Sequence, residues 1–301
     1  MQKMTNPVII INNPCQFDYS QAIEHVIKER AFGINRLDIF IVEPIKDSNH
    51  LNEILFYYYN VARKAALDKG YDYNFEVNIL FNITETAEIF KLIQHWNVAF
   101  ILQQEESVAL HLHQVLTEVL SFELPKVAYP TSGKVTGQFD TTAVGGTFDH
   151  IHDGHKILLS MNAFLTKRKL IVGITGAEML KKKKFAEVLQ SYESRQQSVL
   201  DFFRLIVGQR DIQFELYEIN DICGPTGYVK EIDSLIISAE SVSGGDFVNK
   251  YRLDHGFNEL DITVINVIGS EESTSDNSWK GKLSSTDIRE QHAKRLLQFQ
   301  K

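Results

Sequence analysis

Two histidines, His152 and His155, stand three residues apart behind a pair of glycines, and their spacing suggests a chemistry. The stretch Thr141 to Leu159 reads T-T-A-V-G-G-T-F-D-H-I-H-D-G-H-K-I-L-L. A short apolar run (Ala143, Val144) ends at Gly145 and Gly146, and Ile157, Leu158 and Leu159 begin a helix-like pattern beyond the second histidine. The order predicts a strand, a glycine turn and a helix start. The glycines open backbone dihedrals closed to other residues and let a bulky ligand lie against the main chain. If the first helical turn begins here, the two imidazoles share one face beside unpaired N–H groups. An anion placed there meets backbone donors, the positive end of the helix dipole and two imidazoles together. A polyphosphate suits such a site. A metal suits it less, because only Asp149 offers a third ligand nearby and catalytic zinc uses three firm ones.

A second group of polar residues lies near the end of the chain, as Ser284-Ser285-Thr286-Asp287-Ile288-Arg289. Read alone, its hydroxyls form a helix N-cap, worth about 1 kcal/mol. The cap is compatible with anion binding by the same hydroxyls and N–H groups, and Arg289, about one helical turn on, reaches the same phosphates with its planar fork. Lys181 to Lys184 is a block of four, and charge runs are usually solvated faces.

Taken together, G-G-T-F-D-x-x-H-x-G-H followed by S-S-T-x-I-R resembles the paired signatures of the nucleotidyltransferase superfamily. Four further features are similar to the eukaryotic, and especially the fungal, phosphopantetheine adenylyltransferases. They are the full run G-G-T-F-D-H-I-H-D-G-H-K-I-L-L, a Lys-rich segment followed by Tyr192 and Arg195, Cys223-Gly224-Pro225-Thr226-Gly227, and S-G-G-D-F-V-N-K-Y-R from Ser243 to Arg252. The likeness runs from about residue 140 to the end. It implies transfer of the adenylyl group of ATP to 4′-phosphopantetheine, with Mg²⁺ accompanying the ATP without an all-protein cage. It also implies roles. His152 and His155 hold the α-phosphate and bridging oxygens, with His155 the more essential because bacterial forms carry Thr where His152 stands. Arg289 holds the leaving group, and Lys184, or next Lys183, reaches the transferred phosphate. Gly146, Thr147, Phe148, Ser284, Ser285 and Thr286 bind the substrates.

Two departures from the family pattern are visible. Bacterial relatives hold the triphosphate with arginines after the fourth strand, but Ser238-Ala239-Glu240-Ser241 has none, leaving Arg289, Lys280 and Lys282 as substitutes. Lipid-head-group cytidylyltransferases carry R-T-x-G-I-S-T-T, which Gly281-Lys282-Leu283-Ser284-Ser285-Thr286 lacks. A cytidylyltransferase or another adenylyltransferase of the superfamily is therefore the alternative within the class. The alternative outside it is a scaffold that docks other coenzyme A biosynthesis enzymes.

The rest of the chain must position these residues. Its 301 residues suffice for two domains, each with its own core. A formal charge of -8 argues against nucleic acid as partner, since phosphate-backbone affinity needs clustered Lys and Arg. Cys15 and Cys223 form neither a disulfide framework nor a zinc pattern. With no apolar run of signal-peptide or membrane-span length, the expected setting is cytoplasmic.

Up to about residue 120 the pattern alternates. Apolar runs at Pro7 to Asn12, Leu37 to Val42, Phe75 to Phe81 and Val98 to Leu102 are separated by helical patterns near 18–30, 50–69, 84–96 and 107–120. That predicts an α/β domain with a parallel sheet covered on both faces. It carries no chemistry of its own: His111 and His113 point to different faces, Tyr57-Tyr58-Tyr59 reads as packing, and Asn82 or Thr84 reads as a helix cap. Pro125 to Phe139 gathers Pro, Gly, Ser and Thr without periodicity and reads as a connection, with the boundary near residue 135.

The expected domains are thus 1–135, α/β and of unassigned role, and 136–301, a Rossmann-like nucleotidyltransferase domain. In the second, strands at Leu170 to Ile174, Ile212 to Glu218, Ser234 to Ser238 and Ile262 to Val267 follow the signature strand. Helices are expected at Glu178 to Lys184, Ser194 to Val207, Phe247 to His255 and Ser285 to Gln298. This is a doubly wound parallel sheet with its ligand crevice at the carboxyl ends of the strands.

Overall fold

The structure is a computed structural model and describes residues 6–30, 35–106, 115–130, 133–181, 183–208, 210–267 and 284–299. Contacts divide it into two compact units, Met1–Gly133 with Leu205–Gln209, and Lys134–Arg204 with Arg210–Lys301.

The first unit runs β1 (Pro7–Ile11), α1 (Ser20–His25, continued by a π-helical turn to Arg30), β2 (Arg36–Ile41), α2 (Ser48–Asp68), β3 (Glu76–Leu80), α3 (Thr86–Ile93), β4 (Val98–Leu102) and β5 (Leu116–Leu120). The strands of its sheet all pair in parallel, in the order β3-β2-β1-β4-β5. The strands P-V-I-I-I and V-A-F-I-L are buried along their whole length, as expected of a sheet covered on both faces. Asp47 starts α2 by accepting hydrogen bonds from the Asn49 and His50 N–H groups. Tyr58 and Tyr59 are fully buried while Tyr57 is 37% exposed, so the tyrosine run is mainly core.

Polar side chains also lie inside this core, Asp38 and Asn78 among them. Asp38 on β2 is 2% exposed, yet its carboxylate accepts from Arg36 Nε (2.8 Å) and Nη2 (3.0 Å), Asn78 Nδ2 (2.9 Å) and Trp96 Nε1 (2.9 Å). A buried carboxylate is tolerated only when its lone pairs are met in this way. Asp38→Ala strands several donors at once and is expected to destabilise the protein by about 3 kcal/mol or more, read from urea unfolding.

Two expectations for this unit are corrected. The helix expected over 107–120 is not continuous, because Leu116–Leu120 is a strand that pairs in parallel with β4. Its apolar residues happen to fall at helical spacing, but pairing with β4 decides the conformation, and tertiary context overrides so weak a local preference. His111 and His113 lie outside the described residues. Neither Asn82 nor Thr84 borders a helix, since α3 starts at Thr86. Asn82 instead takes a left-handed backbone (φ 54°), accepting from Ile45 N–H (2.7 Å) and donating to Ile45 O (2.8 Å), which ties together the loops after β2 and β3.

The second unit runs β6 (Phe139–Gly146), α4 (Asp153–Leu165), β7 (Thr166–Thr175), α5 (Ala177–Leu180), α6 (Tyr192–Val207), β8 (Gln213–Ile219), β9 (Ser234–Ser238), α7 (Val242–Asp254), β10 (Asp261–Ile265) and α8 (Ser285–Phe299). Its parallel sheet has the order β10-β9-β6-β7-β8. Both units are therefore wound alike: the first strand is central, the next two lie to one side and the last two to the other. In the second unit the order reverses between β6 and β9, and a ligand crevice is expected at the carboxyl ends of that pair.

The helix leaving β6 is the most deeply set. In α4, Ile157, Leu159, Phe164 and Leu165 are fully buried, each worth roughly 2 kcal/mol in transfer free energy. Polar Asn162 is buried too, where its Oδ1 accepts from Thr142 Oγ1 on β6 (2.6 Å). The helix expected over Glu178 to Lys184 is shorter than the sequence suggests, ending at Leu180. Consecutive lysines repel one another on a helix, and Phe185 then turns the chain through a left-handed backbone (φ 56°).

Candidate active site

The turn after β6 is built around one ring. A Cβ at Gly146 would meet the Phe148 ring at 3.0 to 3.2 Å, so the close approach that requires glycine is made by the protein's own side chain. Phe148 is fully buried. The ring approach at Gly146 is thus an internal one, and with its side chain buried Phe148 has its main chain to offer the expected substrate contact. Thr147 is half-buried, and its carbonyl accepts from Arg195 Nη1 at 2.8 Å.

Beyond the turn, His152 is the N-cap of α4 with an extended backbone, its carbonyl accepting from Lys156 N–H at 3.0 Å. No side chain caps this helix end, and first-turn N–H groups have no partner within a helix. His155 lies in that turn, and the two imidazoles stack with centroids 4.0 Å apart and planes at 28°. The Phe148 ring stands 5.4 Å from His155. His155 Nδ1 is buried with no hydrogen-bond partner among the described residues.

Burial pushes the His155 pKa well below its ordinary 6.5, and the neighbouring His152 lowers it further, while the Asp149 carboxylate acts in the opposite direction. His155 is thus a neutral imidazole at pH 7. A polyphosphate arriving at this helix end adds negative charge, which favours the protonated ring and draws the same imidazole into a charge-assisted contact.

The second signature starts α8 as a capping box. Ser284 Oγ accepts from Asp287 N–H (3.2 Å), and the Asp287 carboxylate accepts from Ser284 N–H (3.0 Å) and from its hydroxyl (2.6 Å). Ser285 and Thr286 are half-buried in the first turn. Arg289, expected on the leaving phosphates, has other partners here. It is 2% exposed, and its guanidinium donates to Asp149 Oδ2 (2.7 Å), Lys184 O (3.0 Å) and Thr286 Oγ1 (3.1 Å). Asp149 is 140 residues away in sequence and fully buried, so only the fold brings this pair together. The side chains of Lys183 and Lys184 are exposed, while the Lys184 carbonyl is held by Arg289. Lys280 and Lys282 lie outside the described residues.

Residues 143–291 match the cytidylyltransferase-like family. Over 267 residues the chain is 39% identical to the phosphopantetheine adenylyltransferase of Saccharomyces cerevisiae, a match covering 85% of this chain and 82% of that protein. The chain belongs to the phosphopantetheine adenylyltransferase family. It is also 35% identical over 229 residues to an uncharacterized protein of Schizosaccharomyces pombe, covering 72% of this chain and 71% of that one. The phosphopantetheine adenylyltransferase of Pyrococcus furiosus is 34% identical over 133 residues, which are 44% of this chain and 81% of that enzyme.

Two residues outside both signatures also reach the site. Gln190 and Arg195 both bond to the signature turn, Gln190 through the His150 N–H (2.6 Å) and Arg195 through the Thr147 carbonyl. Position alone could not have found Gln190. Arg195 carried a signal, as one of the residues on which the family likeness rests, and the structure buries it to 2% exposure. Among the described residues, no three His, Cys, Asp or Glu side chains stand together as a metal site, and no helix is long and apolar enough to cross a membrane.

Proposed function

We infer that this chain transfers the adenylyl group of ATP to 4′-phosphopantetheine, a step of coenzyme A biosynthesis. A phosphate oxygen of the acceptor attacks the α-phosphorus, the bond from that phosphorus to the α–β bridging oxygen breaks, and dephospho-coenzyme A and pyrophosphate form. The observation that carries this reading is the stacked His152–His155 pair at the uncapped start of α4, in a chain 39% identical to a phosphopantetheine adenylyltransferase.

The nucleophile is already anionic, so neither a general base nor a covalent intermediate is needed. The protein acts by alignment and by meeting charge as it develops. In this reading His155, with His152 beside it, donates to the α-phosphate and bridging oxygens, at the positive end of the α4 dipole. Thr147 and Lys184 hold the acceptor phosphate, with Lys183 next in reach, and Ser285 and Thr286 border the nucleotide. Arg289 contributes mainly through what it holds. Three of its five N–H donors go to Asp149, Lys184 O and Thr286. Mg²⁺ belongs to the nucleotide substrate, bound by phosphate oxygens and water, and supplies charge neutralisation there.

A pyrophosphate-release assay over a panel of phosphorylated acceptors tests the assignment. Turnover is expected with ATP and 4′-phosphopantetheine, and ATP is expected to outperform CTP. Equal turnover with CTP and a choline or ethanolamine phosphate acceptor would assign the chain to the cytidylyltransferases instead.

We also propose that residues 136–301 form a self-sufficient catalytic domain. The phosphopantetheine adenylyltransferase of Pyrococcus furiosus is matched over 81% of its own length by only 133 residues of this chain. The fragment is expected to fold, shown by circular dichroism, and to keep kcat within about threefold of the full chain, because every group in the mechanism lies within it. An inactive fragment beside an active full-length protein would move the boundary or give the first unit a part in catalysis.

A further inference from the structure

The signature turn is held in a conformation its own residues do not favour. Phe148 (φ 51°) and His150 (φ 45°) both sit in the left-handed region without being glycine. Each such residue costs about 1 kcal/mol or more and persists only where the surroundings over-determine it. We propose that Gln190 and Arg195 are positioning residues of the reaction, a clamp that keeps this strained turn, and with it the His152–His155 pair, in its working geometry. The proposal rests on the adenylyltransferase reading and adds to it two residues that lie outside both signatures.

The clamp works mostly through main chain. Gln190 Oε1 accepts from His150 N–H at 2.6 Å, and Gln190 N–H donates to Asp149 Oδ1 at 2.9 Å, so one residue holds two consecutive residues of the turn. The Gln190 carbonyl accepts from Arg195 Nε at 3.2 Å. Arg195 then spends both hydrogens of Nη1 on carbonyls, Thr147 O at 2.8 Å and Thr175 O at 2.9 Å. Thr147 directly follows β6 and Thr175 ends β7, so a single guanidinium ties the carboxyl ends of two adjacent strands to the loop before α6.

Its planar fork reaches these oxygens from one fixed plane, which an ammonium on a flexible stem does not reproduce. The group is 2% exposed, and three carbonyl dipoles rather than a carboxylate receive its hydrogens. Those contacts fix main-chain position, not merely charge. The histidines follow the turn within a few residues, so a shift of the turn is carried to the imidazoles.

The test uses full-length Gln190→Ala, Gln190→Glu and Arg195→Lys. Amide hydrogen exchange is followed over residues 147–155, together with kcat, both KM values and the thermal midpoint. In Gln190→Ala the His150 amide is expected to exchange at least about tenfold faster, since its acceptor is gone. Its kcat is expected to fall about 10- to 100-fold, with KM values within about threefold, as for a small misplacement of catalytic groups. Gln190→Glu keeps an acceptor oxygen and is expected to restore most of kcat, which a merely structural loss does not allow. Arg195→Lys is expected to loosen the same segment.

Three results overturn the proposal: unchanged exchange in Gln190→Ala, near wild-type kcat despite faster exchange, or a Gln190→Glu enzyme no better than Gln190→Ala. Because Arg195 is buried and its variant risks folding poorly, the half-buried Gln190 pair decides the matter. A wild-type protein that does not adenylylate 4′-phosphopantetheine counts against the proposed function rather than the clamp. The exchange contrast between Gln190→Ala and Gln190→Glu then decides whether the clamp exists.

Discussion

Replacing His155 by Ala is expected to lower kcat by about 10² to 10³ while leaving the fold intact, the size of effect seen when one preorganised donor is removed from a developing charge. The ring stands at the start of a helix whose fully buried side chains lie further along, at Ile157, Leu159, Phe164 and Leu165. Its loss therefore removes little core. KM for ATP should change less than kcat, because the N–H groups of the α4 turn still meet the ground-state phosphates. His152→Ala should cost about 10- to 100-fold, since an adjacent donor, His155, remains. Steady-state kinetics with both substrates, with circular dichroism as fold control, measures the comparison. A folded His155→Ala enzyme with near wild-type kcat would falsify the mechanism and leave family membership untouched.

The same residue predicts a pH dependence of stability. Its folded-state pKa is depressed, so between that value and 6.5 the unfolded chain binds more protons than the native one. The stability contributed by the neutral ring is complete above about pH 6.5 and is lost as pH falls toward the depressed value. Urea unfolding at pH 7 and pH 5 should show wild type losing more stability over that interval than His155→Ala. An equal loss in both proteins would mean that His155 is not the group that titrates.

Arg289→Ala is the second large effect, and it falls on stability first. Asp149 is fully buried, and its Oδ2 accepts from Arg289 Nη1 at 2.7 Å. Deleting the guanidinium leaves a buried carboxylate with Gln190 N–H on its other oxygen, an imbalance expected to cost about 3 to 5 kcal/mol. Asp149→Asn combined with Arg289→Met removes the lone charge and should recover part of that loss, a difference a thermodynamic cycle resolves. Activity should fall in both proteins, because Arg289 also holds the Lys184 carbonyl and so positions the lysine segment. If Arg289→Ala unfolds like wild type and loses activity only through a raised KM for ATP, its role is phosphate contact, as its place in the second signature suggests.

Much of the site was legible because it is local. The step from strand to helix around Gly145 and His155 is written in neighbouring residues, and the i, i+3 spacing of the histidines needs only helical geometry to bring them together. The Ser284 cap is equally local: its partner Asp287 lies three residues on. Short-range patterns were less informative where pairing or close approach decides. Leu116–Leu120 follows its neighbour β4 rather than its own apolar spacing, and Asn82 answers to Ile45 from another loop.

By itself, then, the sequence determined the α/β class of both units, the place of the signature turn and the order of the two motifs, since each depends on periodicity or on contacts a few residues long. Only the tertiary structure decided that Gly146 makes way for Phe148, that Arg289 pairs with Asp149 and that Gln190 and Arg195 hold the turn. These contacts join residues that are not neighbours along a helix or strand, except for Gly146 and Phe148, whose contact depends on a left-handed turn. No periodicity encodes such pairs. They are selected when the sheet closes, because a buried charge or N–H must then find a partner within hydrogen-bond reach or destabilise the fold.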